Sequence, residues 1–333
     1  MRAAFYDRQG SAKDVLTVGE LPDPQPGAGE VRVRMVFSGI NPSDIKTRTG
    51  FGGKAMPFPR IVPHQDGAGI IDAVGSGVPD TRIGERVWIY MAQWGRPFGT
   101  AAEFVVVPSL QAVKLSDNVS FEIGASLGVP AMTAHRCLFA DGDLRGKRVL
   151  VQGGAGAVGN AAILLAKWAG AWVAATVSRE DQAEVARQAG ANLVINRHEE
   201  DVSKRVRSAT GDHGVDRIVD VDLSANIDAA ISCLARDGVV SAYSTESPQA
   251  KLAIPFFPAL LGGFSFRFVY VYTMPEAAMR QAAEEISACA ASAAYSPQIA
   301  KTYPLDAVTE AHELQESGKA VGKVLVRLAH RNC

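Results

Sequence analysis

The stretch VLVQGGAGAVGNAAILLAKWAG, residues 149–170, restricts the fold more than any other part of the chain. An apolar run meets the spacing Gly154-x-Gly156-x-x-Gly159, and an Ala- and Leu-rich helical run follows at once. A strand that turns through such glycines into a helix has a physical purpose. The first glycine makes the tight turn, the second leaves room for a pyrophosphate against the backbone, and the third lets the helix pack close to the strand. The helix N-terminus then offers free N–H groups and a partial positive charge to the phosphates. Gly154, Ala155, Gly156, Ala157, Val158 and Gly159 are therefore expected to hold a dinucleotide.

The surrounding pattern supports a parallel sheet. Short apolar runs, VLVQ (149–152), WVAATV (172–177), IVDV (218–221), GVVSAY (238–243) and SFRFVYVY (265–272), alternate with helical stretches. These include a helix from about Asn160, the segment QAEVARQAG, and a long helix from about Pro275 to Ala294. Fully apolar strands separated by helices belong to a sheet covered on both faces. The first 120 residues read differently. VRVRMVFSGI sets Val31, Val33, Met35 and Phe37 on one face and Arg32 and Arg34 on the other, the period-two signature of a half-buried strand. The stretch GKVLVRL (322–328) returns to this β pattern. The fold class is α/β, with a dinucleotide-binding domain at 123–296 and a β domain made of 1–122 and 297–333.

The second strand of the dinucleotide motif tells which dinucleotide is expected. An NAD site places Asp or Glu about 20 residues on, to bond the ribose 2′-OH. Here the strand ends Thr176-Val177-Ser178-Arg179, with no carboxylate at its tip. Ser178 and Arg179 suit a 2′-phosphate, and Arg197 in VINRHEED could reach the same group from the next loop. Both arginines also read as ordinary surface charges, but the missing acid favours NADP.

Composition excludes several other roles. Lys and Arg number 34 against 35 Asp and Glu, so no bulk charge draws the chain to nucleic acid or an anionic membrane. No run reaches the 18 or so uncharged apolar residues of a membrane span, and MRAAFYDRQG has no apolar leader core. The cysteines, Cys137, Cys233, Cys289 and Cys333, are scattered and form no CxxC, which fits a reducing, cytoplasmic setting.

Four segments, SGINPSDIKTRTG (38–50), PHQDGAGIIDAVGSGV (63–78), VLVQGGAGAVG (149–159) and GKVLV (322–326), resemble the medium-chain dehydrogenase/reductase superfamily. The likeness spans nearly the whole chain and is greatest to the quinone oxidoreductase, or zeta-crystallin, branch. It implies a GroES-like β domain, completed by the C-terminus, plus an inserted Rossmann domain. Zinc alcohol dehydrogenases of the superfamily carry a cysteine where this chain has Asn41, and a His-Glu pair where it has Gln65-Asp66. His64 falls one position early, and no cysteine precedes Cys137, so neither zinc site of that branch can be assembled. Without a Lewis acid, the implied chemistry is hydride transfer from NADPH to an acceptor that is already electrophilic, a quinone or related conjugated carbonyl. An enoyl or alkenal reductase on the same scaffold is the nearest alternative, and an NADPH-binding structural or regulatory protein is another.

The resemblance also implies further site residues. Asn41 and Lys46 fall near the nicotinamide ribose, although family members often have Tyr in place of Lys46. Both are the candidates for a catalytic role. Thr133 is expected to face the nicotinamide, Tyr243 and Ser244 with Phe268, Val269 and Tyr270 to flank the ribose and carboxamide, and Lys323 to lie near the cofactor. Asp44 is expected to tie down its own loop through backbone N–H groups. Phe51, Trp94, Phe98 and Tyr270 read either as loop packing or as a surface for a flat acceptor. The aromatic strand 265–272 would leave an apolar sheet edge, and the family covers that edge in a two-fold homodimer.

Overall fold

A computed structural model describes residues 1–328; the last five, Cys333 among them, lie outside the described residues. The chain divides into two compact units, one made of Met1–Pro130 and the stretch beginning at Ile299, the other of Ala131–Gln298. The expected changeovers were at 122/123 and 296/297. The first division lies inside a helix, which periodicity reads as one piece.

The first unit contains β1 (Arg2–Phe5), α1 (Ala12–Val15), β2 (Thr17–Glu20), β3 (Glu30–Ile40), α2 (Pro42–Thr49), β4 (Asp66–Val74), β5 (Arg86–Ile89), β6 (Phe104–Pro108) and β7 (Ala112–Lys114). Strand β3 is its spine, antiparallel to both β4 and β6. Val31, Val33, Met35 and Phe37 are buried, and Arg32 and Arg34 are half-buried on the opposite face. The interior is aliphatic, gathered around Val31, Val33, Met35, Ile71, Val87 and Val105.

The chain then enters α3 (Phe121–Phe139), which kinks at Gly128. It continues as β8 (Arg148–Val151), α4 (Ala157–Trp168), β9 (Trp172–Val177), α5 (Glu180–Gln188), β10 (Leu193–Asn196), α6 (Val202–Ala209), β11 (Val215–Asp220), α7 (Leu223–Cys233), β12 (Leu234–Ala242), α8 (Phe256–Gly262), β13 (Ser265–Phe268) and α9 (Glu276–Ala291). The six strands form one parallel sheet in the order β10-β9-β8-β11-β12-β13. Counted within the unit, that order is 3-2-1-4-5-6, the doubly wound arrangement of a Rossmann domain. The winding reverses beside β8, whose carboxyl end carries the glycine loop. The return to the first unit is made by β14 (Ile299–Pro304), α10 (Val308–Glu316) and β15 (Lys323–Arg327), with β15 antiparallel to β3.

Two expectations need correction. Helix α4 starts at Ala157, three residues before Asn160, because the Gly156 carbonyl already accepts the Asn160 N–H. The strand expected over 265–272 ends at Phe268, and a 3₁₀ turn covers Val271–Thr273. Val271 and Tyr272 are both buried, which successive residues of a one-sided strand cannot achieve, since a strand points neighbours to opposite faces.

Candidate functional site

The candidate site of the second unit is assembled from backbone. Gly153, not Gly154, takes the left-handed conformation, at φ 73°, so the tight turn begins one residue earlier than the motif spacing suggests. At Gly154 a Cβ would lie 2.8 Å from the Ala175 Cβ, and at Gly159 it would lie 2.2 Å from the Gly153 carbonyl oxygen. Those two glycines are demanded by packing between β8, β9 and α4. Gly156 is different: its φ is −71°, and a Cβ there meets no protein atom closer than 3.5 Å. The loop is pinned from β9, where Thr176 receives the Gly153 N–H on its hydroxyl at 3.1 Å and the Gly154 N–H on its carbonyl at 2.9 Å. The Thr176 hydroxyl in turn donates to Gln152 Oε1 at 2.7 Å. Thr176 and Gln152 were missed in the sequence, because an internal polar pair on adjacent strands leaves no local motif.

At the carboxyl end of β9, Ser178 and Arg197 come together. Arg197 Nε donates to Ser178 Oγ at 2.9 Å, and the Arg197 N–H is held by the Val177 carbonyl at 3.0 Å. Arg179 points to a different partner. Its Nε and Nη2 both bind the Asp181 carboxylate at 3.1 Å, and that guanidinium holds Asp181 below the usual carboxylate range. Tyr243 and Ser244 follow β12 directly, Phe268 ends β13, and Val269 and Tyr270 follow it. All these residues, with the glycine loop, lie at the carboxyl ends of one parallel sheet, where open α/β sheets bind ligands. Val269 is 7% exposed and its N–H bonds the Ala242 carbonyl, whereas Phe268 and Tyr270 are 70% and 50% exposed. Thr133 is buried in α3.

The first unit assembles a buried polar cluster. Asn41 stands at the N-cap of α2, and its N–H donates to Asp44 Oδ2 at 2.7 Å, the loop-tying contact expected of Asp44. The Asn41 Nδ2 donates to Asp66 Oδ2 at 2.7 Å, and Lys323 Nζ donates to Asn41 Oδ1 at 2.7 Å and to Asp66 Oδ2 at 2.8 Å. Asp66 Oδ1 accepts the Val129 N–H at 2.7 Å, just past the α3 kink. Lys46 lies on the next turn of α2, its Nζ 4.6 Å from the Phe51 ring centre. Burial lifts the Asp44 carboxyl to about 8, with Asp66 adding to the rise.

A second buried chain sits beside this one. Thr100 Oγ1 donates to the Asp66 carbonyl, so Ser38 must donate to Thr100 across 2.7 Å. Ser38 Oγ then accepts from His64 Nδ1 at 2.7 Å, leaving His64 Nε2 to accept from His312 Nε2 at 2.9 Å. The hydroxyl protons thus dictate both tautomers, and each imidazole is neutral. Burial lowers both histidines, His64 strongly and His312 to about 3, and the neighbouring charges of Lys323 and Arg48 add to this. His64 holds this place at φ 80°, a conformation unusual for a side chain with a Cβ.

The donor set does not fit a catalytic zinc. Asn41 and Gln65 supply neutral amides, the Lys323 ammonium is hydrogen-bonded to the Asp66 carboxylate, and His64 is committed to Ser38 and His312. Gln65 itself is tied to Gln93, Nε2 to Oε1 at 3.0 Å.

Comparison with known proteins bears on the fold and the family. The profile of the alcohol dehydrogenase GroES-like domain matches residues 27–117, and that of zinc-binding dehydrogenases matches residues 157–288. A quinone oxidoreductase of Lama guanicoe is 29% identical over 331 residues, covering 98% of each chain. A 2-haloacrylate reductase of a Burkholderia species is 28% identical over 336 residues, covering 97% of this chain and 98% of its own. A mycobacterial protein solved in complex with NADPH superposes with a TM-score of 0.82 at 28% identity, over 98% of this chain and 100% of that one. With a GroES-like unit, a Rossmann unit and these relatives along its whole length, the chain belongs to the quinone oxidoreductase branch of the medium-chain dehydrogenase/reductase superfamily and is an oxidoreductase.

Proposed function

We propose that this oxidoreductase uses NADPH, without zinc, to reduce a quinone or a related conjugated carbonyl. The observation that carries the cofactor assignment is the pairing of Arg197 with Ser178 where an NAD site would place an acid. The open space at Gly156 supports a pyrophosphate on the loop. When bound, the cofactor supplies the hydride. The first turn of α4 presents its unpaired N–H groups to the phosphates, and the Ser178–Arg197 pair receives the 2′-phosphate. Asn41 and Lys46 serve the nicotinamide ribose, with Thr133, Tyr243, Ser244, Phe268, Val269 and Tyr270 around the rest of that end. The protein's contribution to the reaction is alignment, bringing donor and acceptor carbons to roughly 3–3.5 Å in a site kept poor in water.

The 2-haloacrylate reductase among the relatives favours a second reading, reduction of an alkene conjugated to a carbonyl. NADPH oxidation followed by absorbance across quinones, enones and simple aldehydes separates the two. Quinone turnover well above enone turnover is the expected result. The reverse order selects the alkene reductase, and tight NADPH binding with no turnover on any acceptor leaves a binding protein.

We also propose a cytoplasmic, two-fold homodimer joined at β13. That strand is the edge of its sheet, and on α8 Phe256, Phe257, Leu260 and Leu261 are 60–76% exposed. Light scattering should give twice the 35.2 kDa of one chain, and charges introduced as Phe257→Lys with Leu261→Lys should halve it. A single-chain mass for the parent protein would refute the dimer.

A further inference from the structure

The Asn41 carboxamide is gripped at both ends. Its Nδ2 faces the Asp66 carboxylate and its Oδ1 faces the Lys323 ammonium, while Lys323 and Asp66 also bind each other. Turning the amide over would set its NH₂ against the ammonium and its carbonyl against the carboxylate. One orientation is therefore enforced. In it, one N–H of the Asn41 carboxamide remains beyond those two contacts.

The arrangement is made deliberately roomy by two glycines. A Cβ at Gly128 would lie 2.1 Å from Asp66 Oδ1, and one at Gly39 would lie 2.4 Å from the Ala125 carbonyl oxygen and 2.7 Å from Lys323 Cε. Asn41, Asp66 and Lys323 are 2%, 0% and 2% exposed. A buried ion pair of this kind adds little stability compared with apolar residues of the same size, because desolvation cancels most of the attraction. Stability alone does not account for an acid and a base converging on one amide.

We propose that Asp66 and Lys323 are positioning residues, which hold the Asn41 carboxamide in a single orientation for the ribose at the nicotinamide end of the cofactor. This rests on the reading that Asn41 serves that ribose. Lys323 then acts through Asn41, to whose carbonyl it donates.

The test compares NADPH with adenosine 2′,5′-bisphosphate, a fragment that carries the 2′-phosphate but no nicotinamide, by calorimetric titration. Asn41→Ala should weaken NADPH by up to about tenfold, the net worth of one hydrogen bond, and leave the fragment unchanged. The double variant Asp66→Asn with Lys323→Met removes both charges together, and should lose NADPH affinity by a similar factor with the fragment unchanged. Adding Asn41→Ala to that double variant should cost no more, since all three changes remove one positioned group. The proposal is overturned if the double variant binds NADPH as the parent does, if the triple variant is weaker by the product of the two losses, or if the fragment weakens equally. An Asn41→Ala protein with parental NADPH affinity refutes the ribose reading itself, and the proposal with it. Should the double variant fail to fold, Lys323→Arg keeps the charge but not its geometry. A selective loss of NADPH affinity supports the proposal there, and parental affinity overturns it.

Discussion

The two units gather their candidate residues from different materials. Around the glycine loop the working parts are backbone groups, and what matters is the absence of Cβ atoms at Gly154, Gly156 and Gly159. In the first unit the working parts are side chains brought from far apart. Asn41 lies 25 residues from Asp66, and Lys323 lies 257 residues from it. A site made of backbone should resist most side-chain changes nearby and fail when a methyl group is added. A cluster of paired charges should lose stability when one partner is removed and keep it when both are.

The largest effect expected from this contrast is on the charged pair. Asp66→Ala strands the Lys323 ammonium in the interior and should cost about 3–5 kcal/mol of stability. Removing both charges, as Asp66→Asn with Lys323→Met, should be neutral or even stabilising, by about 1–4 kcal/mol relative to a perfectly balanced pair. Urea unfolding of the three proteins measures this. A single variant as stable as the double one would show that the pair is not held by charge.

The same cluster should make stability depend on pH with a definite sign. His64 and His312 titrate in the folded protein below their ordinary value of 6.5, His312 at about 3. Between those limits the unfolded chain binds more protons, so acidification through this window removes stability. Asp44 acts oppositely. Its folded value of about 8 exceeds the ordinary 3.8, so the folded state binds the extra proton between them and stability falls as pH rises. Below about 6.5 two histidines oppose one carboxyl, so acidification lowers stability wherever both imidazoles stay neutral in the fold. From about 6.5 to about 8 only the Asp44 contribution remains, and the slope reverses. Asp44→Asn should abolish the alkaline fall and steepen the acid one. An unchanged alkaline limb in that variant would place its origin elsewhere.

In the backbone-built half, Gly159→Ala forces a methyl group onto the Gly153 carbonyl and should destabilise by about 1–3 kcal/mol. Gly156→Ala meets no such obstacle and should unfold at the parental temperature, yet lose NADPH affinity tenfold or more. Thermal unfolding with and without NADPH reads both. A Gly156→Ala protein that keeps its affinity would remove the pyrophosphate from this loop.

What could be read from the sequence follows the same division. The motif at 149–170 was legible because strand, turn and helix are contiguous, so period, glycine spacing and the missing acid at Ser178 all fall within thirty residues of one another. Even there the left-handed turn belongs to Gly153, since spacing names the glycines without showing which one bends. The strand at 265–272 was read too long because apolar content hides a reversal: Val271 and Tyr272 are buried by turning out of the strand. The Asp66–Lys323 pair and the His64–His312 pair had no such signal. Lys323 stands at the start of a strand and His312 within an amphipathic helix, where a lysine and a histidine are ordinary surface residues. Only the antiparallel pairing of β15 with β3 brings Lys323 across Gly39 to Asn41.

The smallest expected effect concerns two arginines, of which the sequence favours Arg179. Arg197 is already hydrogen-bonded to Ser178, so a 2′-phosphate arriving there finds a hydroxyl and a guanidinium held together. Arg179 has two of its three guanidinium nitrogens on Asp181 and must give up that carboxylate before it can present its fork to a ligand. Both pairs are exposed, so the exchange is nearly balanced and gains little. Arg197→Ala should therefore reduce the preference for NADPH over NADH about tenfold, the factor of one charge-assisted contact, while NADH affinity stays the same. Arg179→Ala should change the preference by no more than about twofold, well under 1 kcal/mol on the same scale. Asp181→Ala sharpens the comparison, because it frees Arg179 without touching Arg197. If the preference for NADPH then rises, Arg179 is a latent phosphate ligand held in check by its neighbour. If Arg179→Ala alone costs as much as Arg197→Ala, the ion pair with Asp181 does not survive in the complex, and the two arginines share the phosphate.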